Sequence, residues 1–127
     1  MSALVLDAGA FVAVERADRA MVARLRAAER GGLELRTNGA VVAQVWRSPS
    51  GRQAVLAGLL RSIDVRPVDL RLGQEAGLLL ARAGRGDAVD ATVVALASAG
   101  DRVVTADLGD IRALVGVSGR AVLVVPC

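Results

Sequence analysis

The chain has 127 residues, 54% of them apolar, and sets 16 cationic side chains against 13 acidic ones for a net charge of +3. Every one of those cations is Arg, and the sequence contains neither Lys nor His. That removes the Ser-His-Asp triad, the imidazole base, His-bound zinc, the Walker P-loop and the catalytic lysine, and leaves Asp and Glu to carry any chemistry.

The length fits one domain over residues 1–127, enough chain for a single core. Mean hydropathy is +0.47. Even so, the longest charge-free stretches, Thr37–Trp46 and Ala91–Gly100, are ten residues each, against the roughly 18 a spanning helix needs. A soluble protein with no membrane role is expected. The lone Cys127 allows no internal disulfide, and no signal-like segment opens the chain, so a reducing cytoplasm is the expected location. A pI near 10.8 is a weak pointer to a polyanionic partner. The exclusive use of Arg follows as readily from base composition, given the heavy use of Ala, Gly and Val.

In chain order, Ala3-Leu4-Val5-Leu6 reads as a strand buried on both faces that delivers Asp7 to its C-terminal end. A short helix is expected over Phe11–Glu15, and a clearer one over Asp18–Arg30, stopped by Gly31-Gly32. Leu33–Arg36 reads as a second strand. Thr37-Asn38 caps a helix that runs through Gln44 to Trp46. Ser48-Pro49-Ser50-Gly51 is a turn, followed by a helix from Arg52 to about Arg61. Ile63–Val68 is a strand that Pro67 limits or places near an edge. Asp69 caps a helix through Ala83, with Leu72, Ala76, Leu79 and Leu80 on one face, and Gly84-Arg85-Gly86 ends it. Ala88–Ser98 is almost wholly apolar and should be a central, buried helix. Arg102–Thr105 is a strand, Leu108–Val115 a helix, and Ala121–Val125 the last strand. Strands alternating with helices imply an α/β fold, a three-layer α/β/α sandwich with a mostly parallel sheet.

Three places in this order present acids at strand ends or helix starts: Asp7, the pair Asp87 and Asp90, and the pair Asp107 and Asp110, with Thr105 adding a hydroxyl. Each has an ordinary reading as a turn or cap residue. Asp90 fits that reading worst, because it lies inside the first turn of the most apolar helix, where an unpaired carboxylate is costly. In a parallel sheet these positions converge on one edge, where ligands bind. Carboxylates crowded together without Lys or His repel one another, and a divalent cation relieves the repulsion. Oxygen donors select Mg²⁺ or Mn²⁺, the ions of phosphodiester hydrolysis. The expectation is a metal-dependent hydrolase of phosphates.

The ordered set Asp7, a helix carrying Gln44, Asp90 opening a helix, and Thr105-x-Asp107-x-x-Asp110 resembles the PIN-domain family, and within it the VapC-like toxin ribonucleases of bacterial toxin–antitoxin pairs. The similarity runs over essentially the whole chain. It implies an acidic pocket that binds Mg²⁺ or Mn²⁺ and cleaves RNA, a small antitoxin lying over that pocket, and a homodimer. By the same resemblance Asp7, Asp90 and Asp107 match the first, third and fourth metal-binding and catalytic acids, and Asp110 an accessory one. The family's second acid, a Glu, falls on Gln44. An amide keeps a coordinating oxygen and drops a charge, so Asp87 is a candidate to restore it. The substitution also opens an alternative, a catalytically weakened PIN module that binds RNA or a partner protein. Arg47 and Arg52 lie where RNA phosphates would pass, though solvated helix charges explain them as well. Trp46 and Phe11 are the only aromatics, too few for base stacking, and Trp46 is expected in the core or a dimer interface. A phospho-acceptor receiver domain would need a Lys. The haloacid-dehalogenase type would need an Asp at the position of Gly9.

Overall fold

The computed structural model describes residues 2–48 and 53–127. Five strands form one sheet: β1 (Ala3–Leu6), β2 (Glu34–Asn38), β3 (Asp64–Arg66), β4 (Arg102–Thr105) and β5 (Leu123–Pro126), in the order β3-β2-β1-β4-β5. Every pairing is parallel. β1 occupies the centre and all four of its residues are buried, which is why its sequence is continuously apolar rather than alternating.

The helices are α1 (Ala8–Glu15), α2 (Arg19–Arg30), α3 (Gly39–Val45), α4 (Ala54–Ser62), α5 (Leu70–Ala83), α6 (Ala88–Leu96) and α7 (Leu108–Ser118). α1 packs against α2, α3 and α4, whereas α5, α6 and α7 pack on one another. Right-handed crossovers place these two groups on opposite faces of a sheet whose strand order reverses direction at β1, giving the layered α/β architecture expected from the sequence. α6 buries Asp90 through Ala95 and is the central helix its composition requires. On α5, Ala76 and Leu79 are buried while Leu72 and Leu80 pack against the core from its margin.

Some boundaries differ for identifiable reasons. α1 begins at Ala8 rather than Phe11, because the Asp7 side chain accepts the Ala8 N–H at 2.8 Å and caps the helix at once. β3 is only three residues long; it lies at the sheet edge, and Pro67 has no N–H to continue the ladder. α7 runs on to Ser118 and stops at Gly119, whose φ of 69° is left-handed. Trp46 is not a core residue: it follows the last turn of α3 and is 41% exposed. The expected turn at Pro49–Gly51 and the start of the following helix at Arg52 lie outside the described residues. Among the described residues, no helix is long and apolar enough to cross a membrane.

Candidate metal centre

Parallel strands send their C-terminal ends to the same edge, and here three of them deliver polar side chains to it. Asp7 follows β1, Asn38 ends β2 and Thr105 ends β4; all three are buried. Asn38 is structural. Its Oδ1 accepts the N–H groups of Ala40 and Val41, capping α3, and its Nδ2 donates to Thr92 Oγ1 at 3.2 Å, tying α3 to α6.

Asp7 and Thr105 form the floor of the site. The Thr105 hydroxyl donates to Asp7 Oδ2 at 2.7 Å and accepts the Asp107 N–H at 2.9 Å, so one side chain registers two acids that follow different strands. Asp7 is 5% exposed. Burial raises its pKa; the hydrogen bonds from Thr105 and Ala8 oppose the rise, and Asp87 and Asp107 add to it by repulsion. The α1 turn must come close to the β4–α7 loop for this to work. A Cβ at Gly9 would stand 2.8 Å from Ala106 Cβ and 2.9 Å from Cys127 Sγ, so only glycine allows the approach.

Asp90 enters from the first turn of α6, oriented by Asp87, whose Oδ1 accepts the Asp90 N–H at 2.8 Å. Asp90 is 6% exposed, and its Oδ2 is buried without a hydrogen-bond donor among the described residues. Burial, a proton shared with Asp107 and repulsion from Asp7, Asp87 and Asp107 push its pKa up to about 8. Without a cation, the site therefore holds a proton where charge would otherwise accumulate.

Asp7, Gln44, Asp90 and Asp107 line one recess of about 290 Å³, together with Ala8, Gly9 and Ala106. Carboxylate oxygens of Asp90, Asp107 and Asp110 lie within 4.8 Å of one another. Opposite ligands of an octahedral Mg²⁺ are about 4.2 Å apart, so small rotamer adjustments let these oxygens share one ion. A partnerless buried oxygen in an all-oxygen donor set fits a hard divalent cation. Asp110 stands inside that tight group. Asp7, on the floor of the recess, and Asp87 both stand outside it; Asp87 is exposed and acts on the site through its cap and its charge.

Arg47 is exposed just past α3, where its own N–H donates to Gln53 Oε1. Arg52 lies outside the described residues. One residue beside the site carried no signal beyond a helix stop. Arg85 Nε donates to Asp110 Oδ1 at 2.7 Å, bringing a guanidinium to the edge of the acidic group. Its position between two glycines and two residues before an acid was the only cue.

No protein-family model matches the chain, and no curated protein matches it in sequence. Among solved structures, it is similar to a chain of VapBC2 from Rickettsia felis bound to a DNA fragment from their promoter. The TM-score is 0.72 at 12% identity, over 98% of both chains. The fold is a PIN-like fold of the VapC kind. Within this PIN-like fold the acidic recess occupies the C-terminal edge of the central strands, where the order of the sheet turns back on itself.

Proposed function

We propose that the chain is a VapC-type toxin, a cytoplasmic endoribonuclease that hydrolyses RNA phosphodiesters with Mg²⁺ or Mn²⁺. The observation that carries this reading is the buried, donorless Oδ2 of Asp90, set among acids from three separate elements in one recess. A purely structural carboxylate in that place would be paired. The likeness to VapBC2 supports the same reading through the fold, and supports a small antitoxin protein as partner. A homodimer belongs to the proposal through the family resemblance.

In this reading Asp7, Asp90 and Asp107 hold the ion and Asp110 assists. When bound, the ion supplies Lewis-acid stabilisation of phosphoryl charge and makes water more acidic. The protein's own part is positional. Thr105 fixes Asp7 relative to Asp107, Asp87 fixes the first turn of α6, and Gly9 lets the two loops close. Asp90 would have to be deprotonated to hold the ion, so loading would be coupled to pH.

The decisive experiment is cleavage of a mixed RNA pool with Mn²⁺ by the chain and by its Asp7→Asn and Asp90→Asn forms. Both variants should lose about a hundredfold or more in rate. Gln44 on the recess wall favours a second reading, a weakened PIN module that binds RNA or a protein without cutting it. Identical traces for all three proteins would select that second reading.

A further inference from the structure

We propose that Arg85 is the phosphate-binding residue of the recess, held beside the acids by Asp110 and offering its open guanidinium edge to the RNA backbone. The inference rests on the nuclease reading for the identity of the phosphate, and on the local geometry for the residue. Arg85 lies between Gly84, with φ of 66°, and Gly86, with φ of 95°, two left-handed positions that set the path of the α5–α6 connection. A Cβ on Gly86 would lie 3.1 Å from Leu114 Cδ1 and 3.8 Å from Asp110 Cβ, so this connection is seated on α7. A Cβ on Gly109 would lie 3.0 Å from Arg85 Nη2. Glycine at 109 thus lets the guanidinium rest against the first turn of α7, where Asp110 holds it.

The contact uses only part of each group. Arg85 Nε engages Asp110 Oδ1, while Nη1 and Nη2 have no acceptor among the described residues. Asp110 Oδ2 has no hydrogen-bond partner there either, so Asp110 can bridge, with one oxygen toward Arg85 and the other toward an ion shared with Asp90 and Asp107. The Arg85 side chain is 57% exposed, and a pair that open adds little stability, which is a poor return on three glycines. A guanidinium fork fits two oxygens of one phosphate. A bound phosphodiester needs positive charge on the side away from the metal, and this chain has no Lys to supply it.

The test uses a fluorescently labelled single-stranded RNA 20-mer, with Ca²⁺ in place of Mn²⁺, followed by anisotropy from low to high salt. Arg85→Ala should weaken binding about tenfold for RNAs of any sequence and reduce the slope of log affinity against log salt by about one. Arg85→Lys should recover the slope and only part of the affinity. Mn²⁺ affinity by calorimetry should not fall in either variant, which separates phosphate binding from damage to the metal centre. Unchanged affinity and slope in Arg85→Ala would reduce Arg85 to a clip between loop and helix, even with the nuclease intact. Arg85-dependent binding by a chain that cuts no RNA would keep this inference and reject the nuclease reading. If the unaltered chain binds no RNA, both are rejected.

Discussion

Two buried aspartates at opposite edges of the sheet show what separates a structural acid from a chemical one. Asp101, at the start of β4, is 3% exposed; its Oδ1 accepts the Ala3 N–H and its Oδ2 the Ser98 N–H, both at 2.8 Å. Asp90 is 6% exposed at the other edge, with a donorless Oδ2 and three further carboxylates acting on it. Depth is equal, so burial alone does not mark function. Coordination does: Asp101 has its donors within the chain, whereas Asp90 lacks one that only a proton or a cation replaces.

Substitution should separate the two with opposite signs. Asp101→Ala strands the buried Ala3 N–H and the part-buried Ser98 N–H and should cost about 2–4 kcal/mol, about 1–3 for the first and less for the second. Asp90→Asn replaces a carboxyl that already holds a proton at pH 7 with a neutral amide of nearly the same shape and should leave the melting temperature at that pH unchanged or raised. It should also abolish any Mn²⁺-induced stabilisation. Thermal melts of both variants, with and without Mn²⁺, make the comparison. An Asp90→Asn chain as damaged as Asp101→Ala would mean that the Asp90 carboxylate is structural too.

Titration separates them further. The Asp90 pKa is raised to about 8, so between about pH 4 and 8 the folded chain binds more protons than the unfolded one. Stability without metal must therefore fall as pH rises through that window, and level off above it. Metal entry expels the same proton, so Mn²⁺ affinity should rise about tenfold per pH unit up to about 8 and then flatten. Calorimetry across that range checks this, and Asp90→Asn should erase the slope.

The same contrast explains how much of the molecule was legible in its sequence. The central strand, α6 and the acids at the sheet edge were readable because β1 and α6 are buried on all sides and have few residues free to vary from apolar. β3 was misjudged in length because an edge strand has one partner, and the lost pairing leaves no trace in composition. Trp46 lies outside the core, one of the two places expected for it, because hydrophobicity does not say which way a helix's last turn faces. Asp101 carried no pattern, since its partners Ala3 and Ser98 lend only backbone N–H groups, which any residue has. Arg85 was hidden for a related reason: its meaning depends on Gly109 and Asp110, 24 and 25 positions away.

Thr105 sharpens the comparison from the floor of the recess. Thr105→Val keeps the shape of a residue that is fully buried, but removes the donor to Asp7 and the acceptor for Asp107. The cost should be about 1–3 kcal/mol. The hydrogen bond from Thr105 holds the Asp7 pKa down against burial; without it that pKa climbs further, and the pH dependence of Mn²⁺ binding should move upward. A stability loss with no change in the Mn²⁺ profile would confine Thr105 to packing.

The smallest expected effect bears most directly on whether Gln44 belongs to the donor set. Gln44 lines the recess with Asp7, Asp90 and Asp107, and offers an amide oxygen without a charge. Gln44→Glu adds a carboxylate to a crowded site, so without metal the repulsion on Asp7 and Asp90 grows and the chain should melt slightly earlier. A cation reverses the sign, because the added charge then faces the ion, and Mn²⁺ affinity should rise by about three- to tenfold. Both halves are needed. A lower melting temperature without tighter Mn²⁺ binding would show that residue 44 feels the field of the acids but stands beyond reach of the ion, leaving Asp110 as the fourth oxygen donor.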